Sequence, residues 1–318
     1  MSTSTSTGPG ASPGAPGAAP AVPAATGRAR RRAATTAGER HSTAVRVVAT
    51  GAVAVATVYF LMPVWWMVVA ATKSSTALFT TPGFSFADPQ LVQNLRDLST
   101  YDDGIFWRWV FNTVVYSVVG SVLTVLVCAA CGYALALFEF RGRKVLLGAV
   151  LASMLVPGTV LAQPTYLLVV ELGLNNTYAG VLLPSMVYPF GVLLCTVFAR
   201  SSVPVELLEA ARLDGAGELR IFVSVGLRLM TTGLVTVLLF AFLGSWNNYL
   251  LPLMVLTDAE LMPLTVGLTG WSQASITIPG LQVLVVAGSL VSVVPVIGVF
   301  VALQRYWRSG LTAGGVRF

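Results

Sequence analysis

Long apolar runs without a charged residue alternate with short polar segments along most of the chain. An α-helix needs about 20 apolar residues to cross the hydrocarbon core of a membrane, and each run is long enough to do so. The last run could hold two crossings, but its first half, 262–278, is rich in Pro, Gly, Ser and Gln, which is typical of a loop or an interface. We therefore predict an all-α, polytopic membrane protein with six transmembrane helices, at about 47–72, 109–138, 145–170, 176–199, 229–257 and 279–304.

The composition supports a membrane protein. Hydrophobic residues make up 55% of the chain and charged residues only 10%, whereas soluble domains carry about 25% charged residues. The net charge of +6 is basic, but the basic residues recur between the apolar runs and do not form one patch. This distribution indicates membrane topology and not a nucleic-acid partner.

The basic residues also predict the orientation. If the chain crosses six times, all but three of its 19 Lys and Arg residues fall on the side that holds both termini. The three exceptions are Lys73, Arg96 and Arg108. Cytoplasmic loops carry an excess of Lys and Arg, so both termini are predicted to be cytoplasmic.

The N-terminal segment, 1–43, consists of Ser, Thr, Gly, Pro and Ala followed by a cluster of arginines at 28–32. Such a composition cannot bury a core, which predicts a disordered, basic cytoplasmic tail. Its arginines could also contact anionic lipid headgroups. The remainder, 44–318, is then a single transmembrane domain.

Few residues are suited to catalysis or metal binding. The only histidine, His41, lies in the predicted tail, and Cys128, Cys131 and Cys195 all lie inside apolar runs, where small packing residues are expected. Acidic residues are confined to the loops. There is no Gly-x-x-x-x-Gly-Lys-Ser/Thr sequence, so the chain is not expected to bind ATP by that route. We predict no catalytic site and no metal site.

The largest predicted cytoplasmic loop, 200–228, contains two short helical patterns. Pro204 suits the first turn of a helix, and Asp214-Gly215 ends it, with Asp214 able to cap the helix that follows. The expected apolar faces are Leu207, Leu208 and Ala211 in the first helix, and Leu219, Phe222 and Val223 in the second. Small side chains at the tip would let the groove of another protein approach closely.

Within this loop, Glu209-Ala-Ala-Arg-Leu-Asp-Gly-Ala216, followed by Ile221-Phe222, resembles the EAA loop of ATP-binding-cassette (ABC) importer permeases. Further segments resemble the carbohydrate branch of that family, the maltose-permease-like subunits. These segments are Phe111-Asn112-Thr113, Gly132–Ala136, Phe140–Arg143, Leu172–Thr177, Val203-Pro204, Ser245–Asn248 and Gln304–Gly314. The resemblance covers the chain from about residue 45 to its end.

The resemblance implies the fold of a type I ABC importer permease in the bacterial cytoplasmic membrane. It implies a non-catalytic subunit that binds no cofactor, with ATP and Mg²⁺ held by a partner ATPase dimer. A second homologous permease, an extracytoplasmic solute-binding protein and a sugar or oligosaccharide cargo are the other implied partners, within membrane lipid. The loop 200–228 would be the coupling loop that docks into the ATPase, through Glu209, Ala210, Ala211, Asp214, Gly215 and Ile221.

Polar residues inside the fifth run are candidates for the cargo path. Polar groups in hydrocarbon are costly unless they face the interior of the helix bundle or water. Hydrogen bonds between helices are an equally good explanation. The candidates are Ser245, Trp246, Asn247, Asn248 and Tyr249, with Gln163-Pro164, Tyr166, Tyr188-Pro189 and Gln282 as weaker ones.

Three positions depart from the family pattern. Arg228 and Thr232 stand where prolines are usual, and Asn248 stands where the family often has an acidic residue. The joint between the coupling loop and the membrane is therefore expected to be straighter, or to be held by the charge of Arg228. Glu209 could also pair with Arg212 on the same helix.

Two other functions compete with the importer. An ion-coupled transporter needs an ionisable residue within the membrane, and the apolar runs contain none. A membrane scaffold would not require the polar cluster at 245–249.

Overall fold

The structure is a computed structural model that describes the backbone of residues 43–313 and the side chains of residues 45–304. The predicted basic tail thus lies outside the described residues, except that Thr43 begins the first helix. Every regular element within 43–313 is helical. The α-helices are α1 Thr43–Thr72, α2 Ser75–Thr80, α3 Leu91–Thr100, α4 Ile105–Leu137, α5 Arg143–Ser153, α6 Gly158–Glu171, α7 Tyr178–Ser185, α8 Pro189–Ser202, α9 Val205–Leu213, α10 Glu218–Ile221, α11 Leu227–Leu229, α12 Thr231–Trp246, α13 Leu250–Val255, α14 Leu264–Ala274 and α15 Leu281–Ala313.

The described residues divide into two units, 43–62 and 63–313. In the first unit, the described residues all belong to α1, and the side chains of residues 45–62 are exposed. The coupling loop, the cavities and the hydrogen bonds described below belong to the second unit.

Three helices, α1, α4 and α15, are each long and apolar enough to cross a membrane. Three further spans are possible if bent pairs of helices each cross once: α5 with α6, bent by 108°, α7 with α8, bent by 46°, and the segment from α10 to α11 with α12, bent by 82°. Six crossings are therefore compatible with the helices, and the number stays a prediction.

Two of the breaks within these bent pairs of helices occur at a proline. Pro157 immediately precedes α6, and Pro189 is the first residue of α8, after Tyr188 has left the helical region. The residue before a proline is pushed towards an extended conformation, which explains both breaks. Pro164 and Pro184 lie inside α6 and α7, so they do not interrupt these helices.

The fifth predicted span is shorter than expected. Its helix, α12, ends at Trp246, and a break precedes the short helix α13. The polar segment 262–278, interpreted as loop or interface, contains the eleven-residue helix α14. At a rise of 1.5 Å per residue, α14 is too short to cross a bilayer.

Helix α4 lies at the centre of the fold, between two apolar clusters. Near its start, Phe106 and Trp109 pack with Trp271 of α14. Near its end, Cys128 and Tyr133 pack with residues of α8 and α12. Cys128 and Cys195 are buried, as their predicted packing role requires, whereas Cys131 is exposed.

Candidate functional site

The coupling loop consists of two helices joined by a tight turn. Gly215 has a φ of +80°, and its N–H bonds to the carbonyl of Arg212 at 3.0 Å. The N–H of Ala216 bonds back to the carbonyl of Ala211 at 3.0 Å. This pair of bonds is a Schellman motif, which favours glycine at the left-handed position. Asp214 therefore ends α9 and does not cap α10, contrary to expectation, because the turn delays the next helix until Glu218.

The inner face of the loop is built into the transmembrane core. Leu208 and Ile221 are 2% and 0% exposed, and both join the cluster that contains Tyr133. The predicted apolar faces are only partly right. Leu208, Ala211 and Phe222 pack inward, whereas Leu207, Leu219 and Val223 are exposed.

The outer face of the loop carries small and charged residues. Glu209, Ala210, Asp214 and Gly215 are exposed, and the nearby Leu213 is 89% exposed. The six predicted coupling residues are thus divided. Four lie at the surface, while Ala211 and Ile221 lie on the inner side and can act on a partner only by holding the loop in place.

An ion pair braces the two helices of the loop. Arg212 Nε donates to Glu218 Oε1 at 2.6 Å, and Nη2 donates to Oε2 at 3.3 Å. Arg212 thus pairs across the turn and not with Glu209, because the turn brings Glu218 within reach. The hydrogen bond raises the pKa of Arg212 and lowers the pKa of Glu218. The pair is therefore intact at neutral pH, and it is lost as the pH falls through the lowered pKa of Glu218.

The joint between the loop and the membrane bends sharply without a proline. A π-helical turn spans Phe222–Gly226, and the chain then bends by 82° at Met230. Thr231 Oγ1 donates to the carbonyl of Arg228 at 2.6 Å, next to the bend. The first alternative, a straighter joint, does not agree with the 82° bend. The second alternative has no support among the described contacts, in which Arg228 forms no ion pair.

A polar cavity of about 190 Å³ lies among α4, α7 and α12. Ser245 and Asn248, two of the residues proposed for the cargo path, line it. Ser245 Oγ also donates to the carbonyl of Tyr116 at 3.0 Å, so the alternative explanation, an interhelical hydrogen bond, holds for the same residue. The other lining residues are Gly120, Thr124, Ser185, Tyr188, Phe240, Ala241 and Gly244.

Thr124 and Ser185 were not predicted to line a cavity. Each is one of several hydroxyl-bearing or amide residues within an apolar run, and nothing in the sequence distinguishes it from the others. Ser185 and Asn248 also line a larger adjoining cavity of about 800 Å³, beside α6.

The other polar candidates do not converge on the cavity. Trp246 is buried and stacks on Phe242, with ring centroids 5.6 Å apart, and Asn247 Nδ2 donates to the carbonyl of Leu243 in its own helix at 2.8 Å. Tyr249 lines a separate pocket. Of the weaker candidates, only Tyr188 lines the cavity. Gln163, Pro164 and Tyr166 lie on α6, Pro189 begins α8, and Gln282 accepts a hydrogen bond from Ser275 at 2.6 Å.

Near the start of α4, the Phe111-Asn112-Thr113 segment holds the stretch 260–264, which begins within a short 3-10 helix. Asn112 Nδ2 donates to the carbonyls of Glu260 and Met262 at 2.7 and 2.9 Å. Thr113 Oγ1 accepts from the N–H of Leu264 at 2.8 Å. This segment therefore fixes the connection between α13 and α14 and does not face the cavity.

Comparison with known proteins supports the permease resemblance. A family model described as "Binding-protein-dependent transport system inner membrane component" matches residues 128–309. The arabinooligosaccharides transport system permease protein AraQ of Halalkalibacterium halodurans is 34% identical over 260 residues, which are 81% of this chain and 91% of that protein. The diacetylchitobiose uptake system permease protein NgcG of Streptomyces coelicolor is 31% identical, over 82% of this chain and 85% of that protein.

A third relative is the sn-glycerol-3-phosphate transport system permease protein UgpE of Salmonella typhi. It is 30% identical, over 79% of this chain and 90% of that protein. Among solved structures, a chain of a bacterial ABC transporter involved in the import of the acidic polysaccharide alginate superposes with a TM-score of 0.73. It is 25% identical, over 84% of this chain and 98% of that chain.

Proposed function

Because the chain belongs to the family of binding-protein-dependent transport system inner membrane components, it is a permease subunit of an ABC importer, and we propose that its cargo is a neutral oligosaccharide. Relatives named for arabinooligosaccharides and diacetylchitobiose support a sugar cargo. The cavities add a reason to favour a neutral one. The described residues that line the 190 Å³ and 800 Å³ cavities include hydroxyl and amide side chains and no charged side chain. A phosphate-bearing cargo such as that named for UgpE would favour Arg or Lys in its path.

The energy for transport comes from a partner in this proposal. An ATPase dimer that holds ATP and Mg²⁺ receives the outer face of the coupling loop, at Glu209, Ala210, Asp214 and Gly215. Closure of the dimer moves the loop, and Ala211 and Ile221 pass the movement to the transmembrane core. A second permease completes the pathway, which then opens to one side of the membrane at a time. The observation that carries the proposal is the construction of the loop, with a small-residue tip outside and an apolar face inside the core.

The direction of transport is inward, from an extracytoplasmic solute-binding protein to the cytoplasm. This requires the coupling loop, and with it both termini, to be cytoplasmic in the bacterial membrane. The distribution of Lys and Arg supports that orientation.

The first test concerns the partner. The full chain, tagged and gently extracted from its native membrane, is expected to retain an ATPase. Glu209→Lys is expected to lower the amount of retained ATPase about tenfold or more, since a reversed charge in a desolvated interface costs several kcal/mol. Glu209 is exposed, so the substitution should leave the melting temperature of the chain unchanged. The measurement is the ratio of ATPase to permease by quantitative mass spectrometry.

Glu171→Lys is the matched control, with the same charge change at an exposed position at the end of α6. It should retain the ATPase. Equal retention of the ATPase in Glu209→Lys and the control would mean that Glu209 does not lie in the docking surface. Recovery of the parent chain without any ATPase would overturn the proposed partner and favour the ion-coupled transporter or the scaffold.

The cargo path is tested at Gly244, a lining residue at which an added Cβ would meet no atom within 4 Å. We expect Gly244→Leu to fill the polar cavity and lower the uptake of its cargo about tenfold, the equivalent of losing one or two hydrogen bonds. Uptake of labelled arabinooligosaccharides, diacetylchitobiose and glycerol-3-phosphate into proteoliposomes identifies the cargo class. Gly298→Leu, on α15 and equally free of neighbours, is the control. Equal uptake by the two variants would place the path elsewhere.

A further inference from the structure

Tyr133 is a buried residue whose hydroxyl has no hydrogen-bond partner in this structure. Its side chain is 3% exposed. Among the described residues, only Tyr133 and Ser117 have buried side-chain oxygens without a partner. A buried hydroxyl is normally hydrogen-bonded, so each exception requires an explanation. For Tyr133 the explanation is suggested by what surrounds its ring.

The ring of Tyr133 lies against the joint of the coupling loop. A side chain added at Gly226 would place its Cβ 2.7 Å from Tyr133 Cε2, so glycine is needed for the approach. The ring of Phe222 lies 5.0 Å from that of Tyr133, between centroids. Phe222 and Gly226 are the two ends of the π-helical turn. Single π turns within helices are frequently found at functional sites and are less stable than α-helical ones, which makes this turn suited to rearrange.

The helix that carries Tyr133 also reaches the polar cavity. Gly120 and Thr124 of α4 line the cavity, and the carbonyl of Tyr116 accepts the hydrogen bond from Ser245. Helix α4 is continuous from Ile105 to Leu137. A displacement of Tyr133 is therefore transmitted along one rigid element to residues beside the cavity.

We propose that Tyr133 is a positioning residue of the transport cycle, whose hydroxyl gains an acceptor on the coupling loop when the loop moves in the nucleotide-bound transporter. In the present conformation the hydroxyl has no hydrogen-bond partner, and the ring packs against Phe138, Phe222 and Gly226. When the π turn rearranges, a loop oxygen reaches the hydroxyl, and the new hydrogen bond favours the moved position of α4. The inference rests on the proposed function, since it requires an ATPase that moves the loop.

The variant Tyr133→Phe separates the hydroxyl from the ring. The assembled transporter is titrated with a non-hydrolysable ATP analogue, and hydrogen exchange in residues 214–230 reports the movement of the loop. The variant loses a hydrogen bond that forms only in the nucleotide-bound conformation. The analogue concentration at which half of the change in hydrogen exchange has occurred, the midpoint, is therefore expected to rise about two- to tenfold. Without nucleotide, the variant should melt at the same temperature as the parent or up to about 4 °C higher, because it loses an unpartnered hydroxyl.

Ser117→Ala is the matched control, because it removes the other unpartnered buried hydroxyl of the same helix, away from the loop. It should change the melting temperature in the same direction and leave the midpoint unchanged. An unchanged midpoint in Tyr133→Phe, or a lowered melting temperature without nucleotide, would overturn the proposal. A parent complex without any ATPase, or without a response to the analogue, would instead overturn the proposed function itself.

Discussion

Gly132→Leu is expected to prevent the accumulation of folded protein. A Cβ at this position of α4 would lie 2.7 Å from the backbone nitrogen of Thr196 and 2.8 Å from the carbonyl carbon of Cys195, both in α8. Because these are backbone atoms, the neighbours cannot yield by a change of rotamer. Small residues at such crossings allow helices to approach closely within a membrane. Overpacking typically lowers the free energy of unfolding by about 1–3 kcal/mol. Because the neighbours here are rigid backbone atoms, we expect a loss of about 3 kcal/mol or more.

The measurement is the yield of monodisperse protein and its melting temperature in detergent. Gly132→Ala should show an intermediate loss. Gly148→Leu is the control, since a Cβ at this exposed position of α5 would meet no atom within 4 Å. If Gly132→Leu and Gly148→Leu melted alike, α4 and α8 could not be packed as closely as the structure has them.

The coupling loop shows what could be predicted from the sequence. Its two short helices and the glycine between them are encoded by local chemistry, namely a proline at the start, Asp-Gly at the turn and charged residues throughout. These signals act within a few residues and do not depend on the rest of the fold. The predicted helix, turn and helix are accordingly found in order, at α9, Gly215 and α10.

The inward-facing residues of the loop could not be predicted as well. Leu207 and Leu208 are adjacent and equally apolar, and only Leu208 is buried. In a water-soluble protein the apolar stripe of a helix identifies its buried face. Here the neighbouring transmembrane helices are apolar all round, and a docking surface can be apolar too, so hydrophobicity does not distinguish the faces. Ile221 likewise belongs to the core, although the resemblance associates it only with coupling.

The polar cavity depends on contacts between distant parts of the chain. Thr124, Ser185 and Ser245 lie far apart in the sequence and are brought together by the packing of α4, α7 and α12. A sequence pattern indicates only which residues are close along one helix. The five polar and aromatic residues at 245–249 were therefore predicted to lie together. The end of α12 at Trp246 divides that cluster among the core, the cavity and a separate pocket.

The sharp joint at Met230 illustrates a different failure. The expectation of a straighter joint relied on the absence of prolines at 228 and 232. The structure bends there by 82° all the same. Its π turn brings Gly226 beneath the ring of Tyr133, and the hydroxyl of Thr231 donates to the carbonyl of Arg228 beside the bend. The bend is thus distributed over several residues, none of which breaks a helix on its own.

Asn112→Leu is expected to release the segment between α13 and α14. Asn112 is fully buried and serves three partners: it donates to the carbonyls of Glu260 and Met262, and its Oδ1 accepts from Tyr178 Oη at 2.6 Å. Leucine has a similar volume but leaves all three groups without a partner. Each unsatisfied buried polar group costs about 1–3 kcal/mol. For three such groups, some of which regain contact with water in the exposed segment, we expect the free energy of unfolding to fall by about 3–5 kcal/mol.

The released segment should be measurable directly, because Glu260 is exposed and lies within it. We expect a glutamate-specific protease to cleave after Glu260 at least about tenfold faster in Asn112→Leu, since cleavage follows the population of the locally opened form. Asn247→Leu is the control, because Asn247 is exposed and bonds only to the carbonyl of Leu243, in its own helix, among the described contacts. The same increase in both variants would mean that Asn112 does not hold the segment. Faster cleavage in Asn112→Leu alone would give the Phe111-Asn112-Thr113 segment a structural role, in which it anchors the chain beside the transport path without contacting the cargo.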